Sequence, residues 1–201
     1  IKLSKALGYE IIDQSNFSSP TLQKELNEDL SIINEKSIVL PLGEVKITKK
    51  VNSVLIIFRT NTDIEIWDQN KKRLFEEPKI EYSFRALKSL IRSVNFSRIK
   101  YPNIKFKIII VDDKSKEENL DKLKKLIDES GLDMSITPLN HGKYKDTIKH
   151  QKNDQTFSNL ASLLQSFQLG KEHGEDLIFF VEDDYLHFEP MMEEMIASYE
   201  R

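Results

Sequence analysis

The sequence predicts an α/β fold in which a mostly parallel sheet is flanked by helices. From residue 53 onward, short β-branched runs alternate with segments of helical period, and this alternation is typical of parallel strands joined by helices. The first of these runs, residues 53–59, is unbroken, as expected for a strand that is buried on both faces. The runs are far shorter than the roughly 20 apolar residues of a membrane-spanning helix, so no transmembrane segment is predicted.

Four strands are predicted along the chain. They are residues 53–59 (SVLIIFR), 106–111 (FKIIIV), 134–139 (MSITPL) and 177–181 (LIFFV). Each run has the length and the β-branched or aromatic composition of a buried strand. The order strand, helix, strand is repeated between them, which predicts one continuous sheet.

Helices are predicted from apolar residues at three- and four-residue spacing between the strands. The first follows Pro78, because proline favours the start of a helix. The second is predicted to begin with a capping box made by Ser115 and Glu118, and Gly131 is placed to end it.

The later helical segments are assigned in the same way. A third helix has its apolar face between residues 157 and 167 and is predicted to end at Gly170 or Gly174, and a fourth follows Pro190. The pattern of this last helix has no stop signal before residue 201, and the chain does not begin with methionine. We therefore expect the sequence to be a fragment of a longer protein.

Residues 1–50 form a separate region in this interpretation. Pro20, Pro41 and polar runs interrupt their short apolar groups, so no helical or strand period emerges. We predict an N-terminal extension of uncertain fold at 1–50 and one α/β domain at 51–201. Residues 63–67 (DIEIW) alternate between polar and apolar, which predicts an inserted hairpin.

Composition excludes several classes of function. The 201 residues carry a net charge of −3 and contain no cysteine. The charge offers no general attraction for nucleic acid, so no nucleic-acid partner is predicted. The lack of cysteine excludes disulfides, thiolate zinc sites and a cysteine nucleophile, and it favours a reducing compartment, which predicts the cytoplasm.

Two of the predicted strands end in acidic residues. Asp112 and Asp113 follow the second strand, and Glu182, Asp183 and Asp184 follow the fourth. In open parallel sheets, ligands bind at the carboxyl ends of the strands. Adjacent carboxylates repel one another, so a cation or several hydrogen-bond donors must compensate them. The simpler alternatives are a turn built on Asp112 and a solvated loop for the second cluster.

Carboxylate oxygens suit a hard divalent cation. Mg²⁺ or Mn²⁺ takes such ligands, keeps several waters and completes its shell with substrate phosphate. The histidines are not spaced as helical pairs and cysteine is absent, which argues against zinc.

Residues 111–115 (VDDKS) and 180–184 (FVEDD) resemble two motifs of GT-A-fold glycosyltransferases, close to the family 2 type. The first is similar to their VDDGS-like motif, with Lys114 in place of glycine, and the second to their DxD-type motif in an EDD form, with Pro190 beyond it. Residues 140–142 (NHG) are similar to the N-x-G that follows the third strand. The resemblance covers roughly residues 53–201 and implies a GT-A (Rossmann-like) architecture that is truncated at its C-terminus.

The resemblance also implies a donor and a metal. Such enzymes transfer a sugar from a nucleotide-diphosphate sugar, and Mg²⁺ or Mn²⁺ would be held by Asp184, with Glu182 or Asp183 as direct or water-mediated support. The cation would take up the charge of the departing diphosphate. The acceptor, a sugar, a lipid or a protein, is left open.

Three further sites follow from the same resemblance. Asp112 or Asp113 would bind the base or ribose of the nucleotide, and Arg59 and Thr60 would line its pocket. Spacing alone leaves open which aspartate of each pair acts. The general base is expected beyond residue 201, in the half of the enzyme that binds the acceptor.

One alternative from another class remains open. A GT-A-like module could bind a nucleotide-sugar or a partner protein without transferring anything. A Rossmann oxidoreductase is disfavoured, because residues 59–61 (RTN) contain no glycine after the first strand, where that family requires close approach to pyrophosphate.

Overall fold

The computed structural model describes residues 50–63, 77–149 and 153–200. These residues form four strands and five helices in alternating order. The elements are β1 (Ser53–Thr60), α1 (Lys79–Lys100), β2 (Lys105–Asp112), α2 (Glu117–Ser130), β3 (Asp133–Pro138), α3 (His141–Tyr144), α4 (Asp154–His173), β4 (Leu177–Glu182) and α5 (Met191–Glu200).

The four strands form one parallel sheet in the order β3-β2-β1-β4. The predicted α/β class, the four strands and the parallel sheet are confirmed. The first two strands, β1 and β2, occupy the centre, which explains their uninterrupted apolar sequences: both of their faces and both of their edges are covered.

Each face of the sheet has its own apolar core. On one face, alternate residues of β1 and β2 pack against α1, α2 and α5, and Ile56, Phe58 and Ile108 are fully buried there. On the opposite face, Leu55 and Ile57 pack against α4. This two-sided burial holds the carboxyl ends of the strands in a rigid row.

The helix boundaries confirm most of the local signals and correct one. Pro78 is the N-cap of α1, and Gly131 ends α2 in the left-handed conformation with a φ of 66°. The predicted capping box is wrong, because Lys116 is the N-cap of α2 and makes no side-chain cap. The hydroxyl of Ser115 instead accepts a hydrogen bond from the amide of Thr62 at 3.1 Å.

Helix α4 also departs from its predicted apolar face. It ends at Gly174, one of the two predicted ends, but Phe167, which the sequence assigns to its apolar face, is half exposed and lies edge-to-face against Phe180 of β4. The reason is that β4 lies at the edge of the sheet, where α4 is only partly covered. Short helix α3 was not predicted.

Two predicted regions lie almost wholly outside the described residues. They are the N-terminal extension at 1–50, of which only Lys50 is described, and the hairpin at 63–67, of which only Asp63 is described. Within the described part of the chain, no helix combines the length and the apolar character needed to cross a bilayer.

Candidate functional site

The two acidic clusters lie at the same edge of the sheet, on either side of the end of β1. The register pairs Thr60 of β1 with Asp112 of β2, and Arg59 of β1 with Glu182 of β4. Because all of these strands are parallel, their carboxyl ends form one row. The sequence prediction that the clusters share an edge is confirmed.

Asp183 is the most extensively paired acid of the site. Its Oδ1 lies 2.6 Å from Nζ of Lys79, and its Oδ2 accepts hydrogen bonds from Oγ1 of Thr60 at 2.9 Å and Oγ of Ser83 at 2.5 Å. The amide of Asn61 approaches Oδ2 at 3.4 Å. The buried charge is therefore neutralised by a cation and hydrogen-bonded through both oxygens.

Asp113 is also held by protein groups. Its Oδ1 lies 2.7 Å from Nε2 of His141, and its Oδ2 accepts from Nδ2 of Asn61 at 3.2 Å. The amide of Asp113 donates to the carbonyl of Thr60 at 3.0 Å. His141 packs its ring along that of Phe157. Asp113 thus orients an imidazole at the start of α3.

Asp112 differs from both of these acids, because one of its oxygens has no partner. Its Oδ2 accepts from the amide of Ser115 at 3.1 Å, whereas its Oδ1 is buried and has no hydrogen-bond partner in the part of the chain that the structure describes. Burial raises the pKa of this carboxyl, and the charges of Asp113 and Asp183 raise it further, against the hydrogen bonds from Ser115. A buried acceptor without a donor is costly unless a ligand or water completes it.

Arg59 and Glu182 form an ion pair where β1 and β4 end side by side. The guanidinium Nη1 lies 3.2 Å from Oε1 of Glu182, and Nε donates to Oγ of Ser162 at 3.2 Å. Its other terminal nitrogen binds Oδ1 of Asn159. Burial lowers the pKa of Arg59, and the nearby carboxylates of Glu182 and Asp183 offset part of that effect.

Asp184 is the acid most open to a ligand. It is exposed, and it makes no hydrogen bond or ion pair with any described residue. Its neighbour Glu182 is half exposed at the side chain. Both present hard oxygen atoms at the end of β4, as Mg²⁺ and Mn²⁺ require.

The donor set fits a metal that takes few protein ligands. In residues 50–63, 77–149 and 153–200, no three or more side chains of the His, Cys, Asp or Glu type are grouped as a metal centre. Mg²⁺ is commonly bound by one or two carboxylates together with water and substrate phosphate. Glu182 and Asp184 fit that arrangement through their chemistry and exposure.

Lys79, Ser83, Asn61 and His141 belong to the site but were not identified from the sequence. Two signals could have found the α1 residues. Ser83 lies on the same helical face as Ile80 and interrupts an apolar stripe, which indicates a buried partner. Lys79 carries a positive charge at a helix N-terminus, where a cation is unfavourable unless a carboxylate compensates it.

A cleft of about 470 Å³ opens beside Arg59 and Glu182. It lies between α4, β4 and the segment that follows β4. Its walls are mostly apolar and include Phe167, Phe179 and Phe180. The charged end of the sheet therefore borders a space with apolar walls.

Comparison with known proteins identifies a distant structural similarity. No family model and no curated protein matches the sequence. Among solved structures, residues 1–349 of TarS from S. aureus, a GT-A-like glycosyltransferase, share 16% identity with this chain at a TM-score of 0.40. The similarity covers 72% of this chain and 31% of that chain, so this chain spans about a third of that structure. This similarity does not identify a donor, an acceptor or a metal for this chain.

Proposed function

We propose that this chain is the nucleotide-binding part of a metal-assisted glycosyltransferase that moves a sugar from a nucleotide-diphosphate sugar to an acceptor. One observation carries the proposal. At a single edge of a parallel sheet, a buried oxygen of Asp112 and the exposed Asp184, both without a partner among the described residues, flank the end of β1. That edge is where open α/β sheets bind ligands.

In this proposal, the nucleotide and the metal bind to different acidic residues. Oδ1 of Asp112 is buried in the free protein, so the groups that cover it would have to shift as the ligand binds. It would then accept a hydrogen bond from a donor group of the base or ribose, which removes the cost of its unpaired burial. Mg²⁺ or Mn²⁺ is held by Asp184 and Glu182. The cation supplies charge stabilisation for the diphosphate that departs as the glycosidic bond breaks.

The remaining predicted residues support these contacts. Arg59 faces the cleft beside Glu182 and adds positive charge near the phosphates. Thr60 and Asp113 bound the nucleotide pocket. The amide of Asp113 donates to the carbonyl of Thr60 across the ends of β1 and β2, and the hydroxyl of Thr60 donates to Asp183 after β4. The general base is assigned to no residue of this chain.

Calorimetric titration with a panel of nucleoside diphosphates tests the proposal. We expect one nucleotide to bind more tightly in the presence of Mn²⁺ than in its absence, and Asp184→Ala to remove the gain from the metal. Asp128→Ala, which replaces an exposed aspartate of α2, is the matched control and should bind as the wild type does. Equal binding with and without metal, or an unaffected Asp184→Ala variant, would contradict the metal assignment.

The ion pair between Arg59 and Glu182 favours a second candidate function. A guanidinium already neutralises Glu182, so a nucleotide-sugar could be bound without a cation and without transfer. Release of nucleoside diphosphate from a bound nucleotide-sugar separates the two functions. Metal-independent, saturable binding with no release supports the binding module, whereas metal-dependent release supports the transferase.

A further inference from the structure

We propose that Asp183, the middle acid of residues 182–184, is a positioning residue that never touches the ligand. Its carboxylate fastens the end of β4 to α1 and β1, and this attachment sets the direction of Glu182 and Asp184. The inference rests on the proposed function, because it assigns the ligand contacts of that cluster to the two outer acids.

The first support is that Asp183 has no acceptor capacity directed at solvent. It is 7% exposed, and its two oxygens are engaged by Lys79, Thr60 and Ser83. A carboxylate with a buried cation on one oxygen and two hydroxyl donors on the other has little capacity left for a metal or a ribose.

The second support is the contrast with its two neighbours in sequence. Glu182 and Asp184 are exposed, while Asp183 between them is buried. The strand β4 ends at Glu182, and Asp183 and Asp184 begin the turn that follows it. Fixing the Asp183 side chain inward at the start of this turn therefore leaves its two exposed neighbours at the surface of the carboxyl end of the sheet.

The third support is that the partners of Asp183 come from elements distant in sequence. Lys79 and Ser83 lie on the first turns of α1, and Thr60 ends β1. The carboxylate thus joins three elements at one point. Replacement of Lys79 or Ser83 therefore loosens the end of β4 without altering a group that the ligand contacts.

Ser83 provides the sharpest test, because its side chain has no exposed surface and so lies out of reach of a ligand at the rim of the sheet. The hydroxyl of Ser83 contacts Asp183 and the carbonyl of Lys79, so Ser83→Ala acts on the Asp183 network and not on a group that the ligand contacts. We expect it to weaken Mn²⁺-dependent binding of the nucleoside diphosphate about tenfold, the scale seen when outer partners of metal-binding side chains are removed. In an Asp183→Asn background, Ser83→Ala should weaken binding by clearly less than it does alone.

Ser97→Ala is the matched control. Ser97 is another fully buried serine of α1, and its hydroxyl donates to the carbonyl of Val94, away from the site. This variant should bind as the wild type does, although it also loses a buried hydrogen bond. If Ser83→Ala is unstable, Lys79→Gln reports on the other oxygen of Asp183, and Lys79→Arg should restore binding.

The outcomes separate the two hypotheses. If the wild type shows no metal-dependent nucleotide binding, the proposed function fails and the role of Asp183 fails with it. If the wild type binds but Ser83→Ala and Lys79→Gln both retain wild-type affinity, the proposed function stands and the positioning role of Asp183 is wrong.

Discussion

Asp112 and Asp183 are both buried aspartates at the carboxyl edge of the sheet, yet they differ in the number of groups that compensate their charge. Asp183 receives a lysine and two hydroxyl groups from the surrounding elements. Among the described residues, Asp112 receives hydrogen bonds from Ser115 alone, and its Oδ1 has no donor. The two residues are almost equally buried: Asp112 is 4% exposed and Asp183 is 7% exposed. Burial alone therefore does not distinguish them.

The difference shows how a structural acid can be told from a ligand-binding acid. A buried carboxylate that is neutralised and fully hydrogen-bonded stabilises the fold or positions its neighbours. A buried carboxylate with an unpaired oxygen costs stability in the free protein, and a ligand that supplies a donor recovers that cost. In this site the first description fits Asp183 and the second fits Asp112.

The largest expected effect comes from breaking the Asp183 network. Lys79→Met should lower the free energy of unfolding by about 3 kcal/mol, because it leaves a buried carboxylate without its cation. Urea denaturation measures this change. Lys122→Met, which removes an exposed lysine paired with Glu118 along α2, should cause no measurable change. A similarly small loss for Lys79→Met would mean that solvent already compensates Asp183.

An effect of opposite sign is expected at Asp112. Asp112→Asn should stabilise the folded chain by about 1 kcal/mol at pH 7, because a neutral amide is cheaper to bury than a charged carboxylate with an unpaired oxygen. The same variant should bind the nucleoside diphosphate at least about tenfold more weakly, since a charged acceptor is lost. Denaturant titration and calorimetry on one preparation measure both effects.

The gain in stability from Asp112→Asn should depend on pH. The folded pKa of Asp112 is raised above the ordinary carboxyl value of 3.8 by burial. As pH rises through the window between these two values, the unfolded chain loses its proton first, and the wild type therefore loses stability. The advantage of the variant should be largest at neutral pH and should disappear below the ordinary value. A difference that does not change with pH would show that Asp112 is not the group that titrates.

The smallest expected effect concerns the turn that follows Asp112 and Asp113. Lys114 has a φ of 58°, in the left-handed region that costs most residues about 1 kcal/mol but glycine much less. Lys114→Gly should therefore stabilise the chain by about 0.5 kcal/mol, after the greater entropy of glycine in the unfolded state is counted. Thermal unfolding measures this change.

Gly131 supplies the matching control for that turn. It has a φ of 66° with nothing within 4 Å of an added Cβ, so Gly131→Ala tests conformational strain without steric crowding. It should lower stability by about 1 kcal/mol. If Lys114→Gly is neutral while Gly131→Ala is destabilising, side-chain contacts of Lys114 compensate its strained backbone.

Much of the fold was predictable because the strands are short segments that are rich in apolar residues. The runs around Ile56 and Ile109 are uninterrupted, and only a two-sided sheet buries them completely. The failed capping box shows the limit of local patterns. Ser115 has the right spacing to Glu118, but the amide of Thr62 competes for its hydroxyl, and this competitor lies 53 residues away in sequence.

The candidate site was predictable as a cluster but not as a set of individual roles. Placing acids after the second and fourth strands was enough to predict that they meet at one edge. Nothing in the spacing distinguishes Asp112 from Asp113, or Asp183 from Asp184. The distinction arises from Lys79 and Ser83 of α1, His141 of α3 and Asn61 after β1. These residues reach the acids only when the helices pack against the end of the sheet.

The sequence by itself determined the class of fold, the order of its elements and the edge of the sheet at which the acids gather, because hydrophobic period and strand direction are local properties. Only the tertiary structure decided which acids are paired and which are left available. The free energy of a buried carboxylate depends on donors from distant segments, and these donors converge only when the helices pack on the sheet.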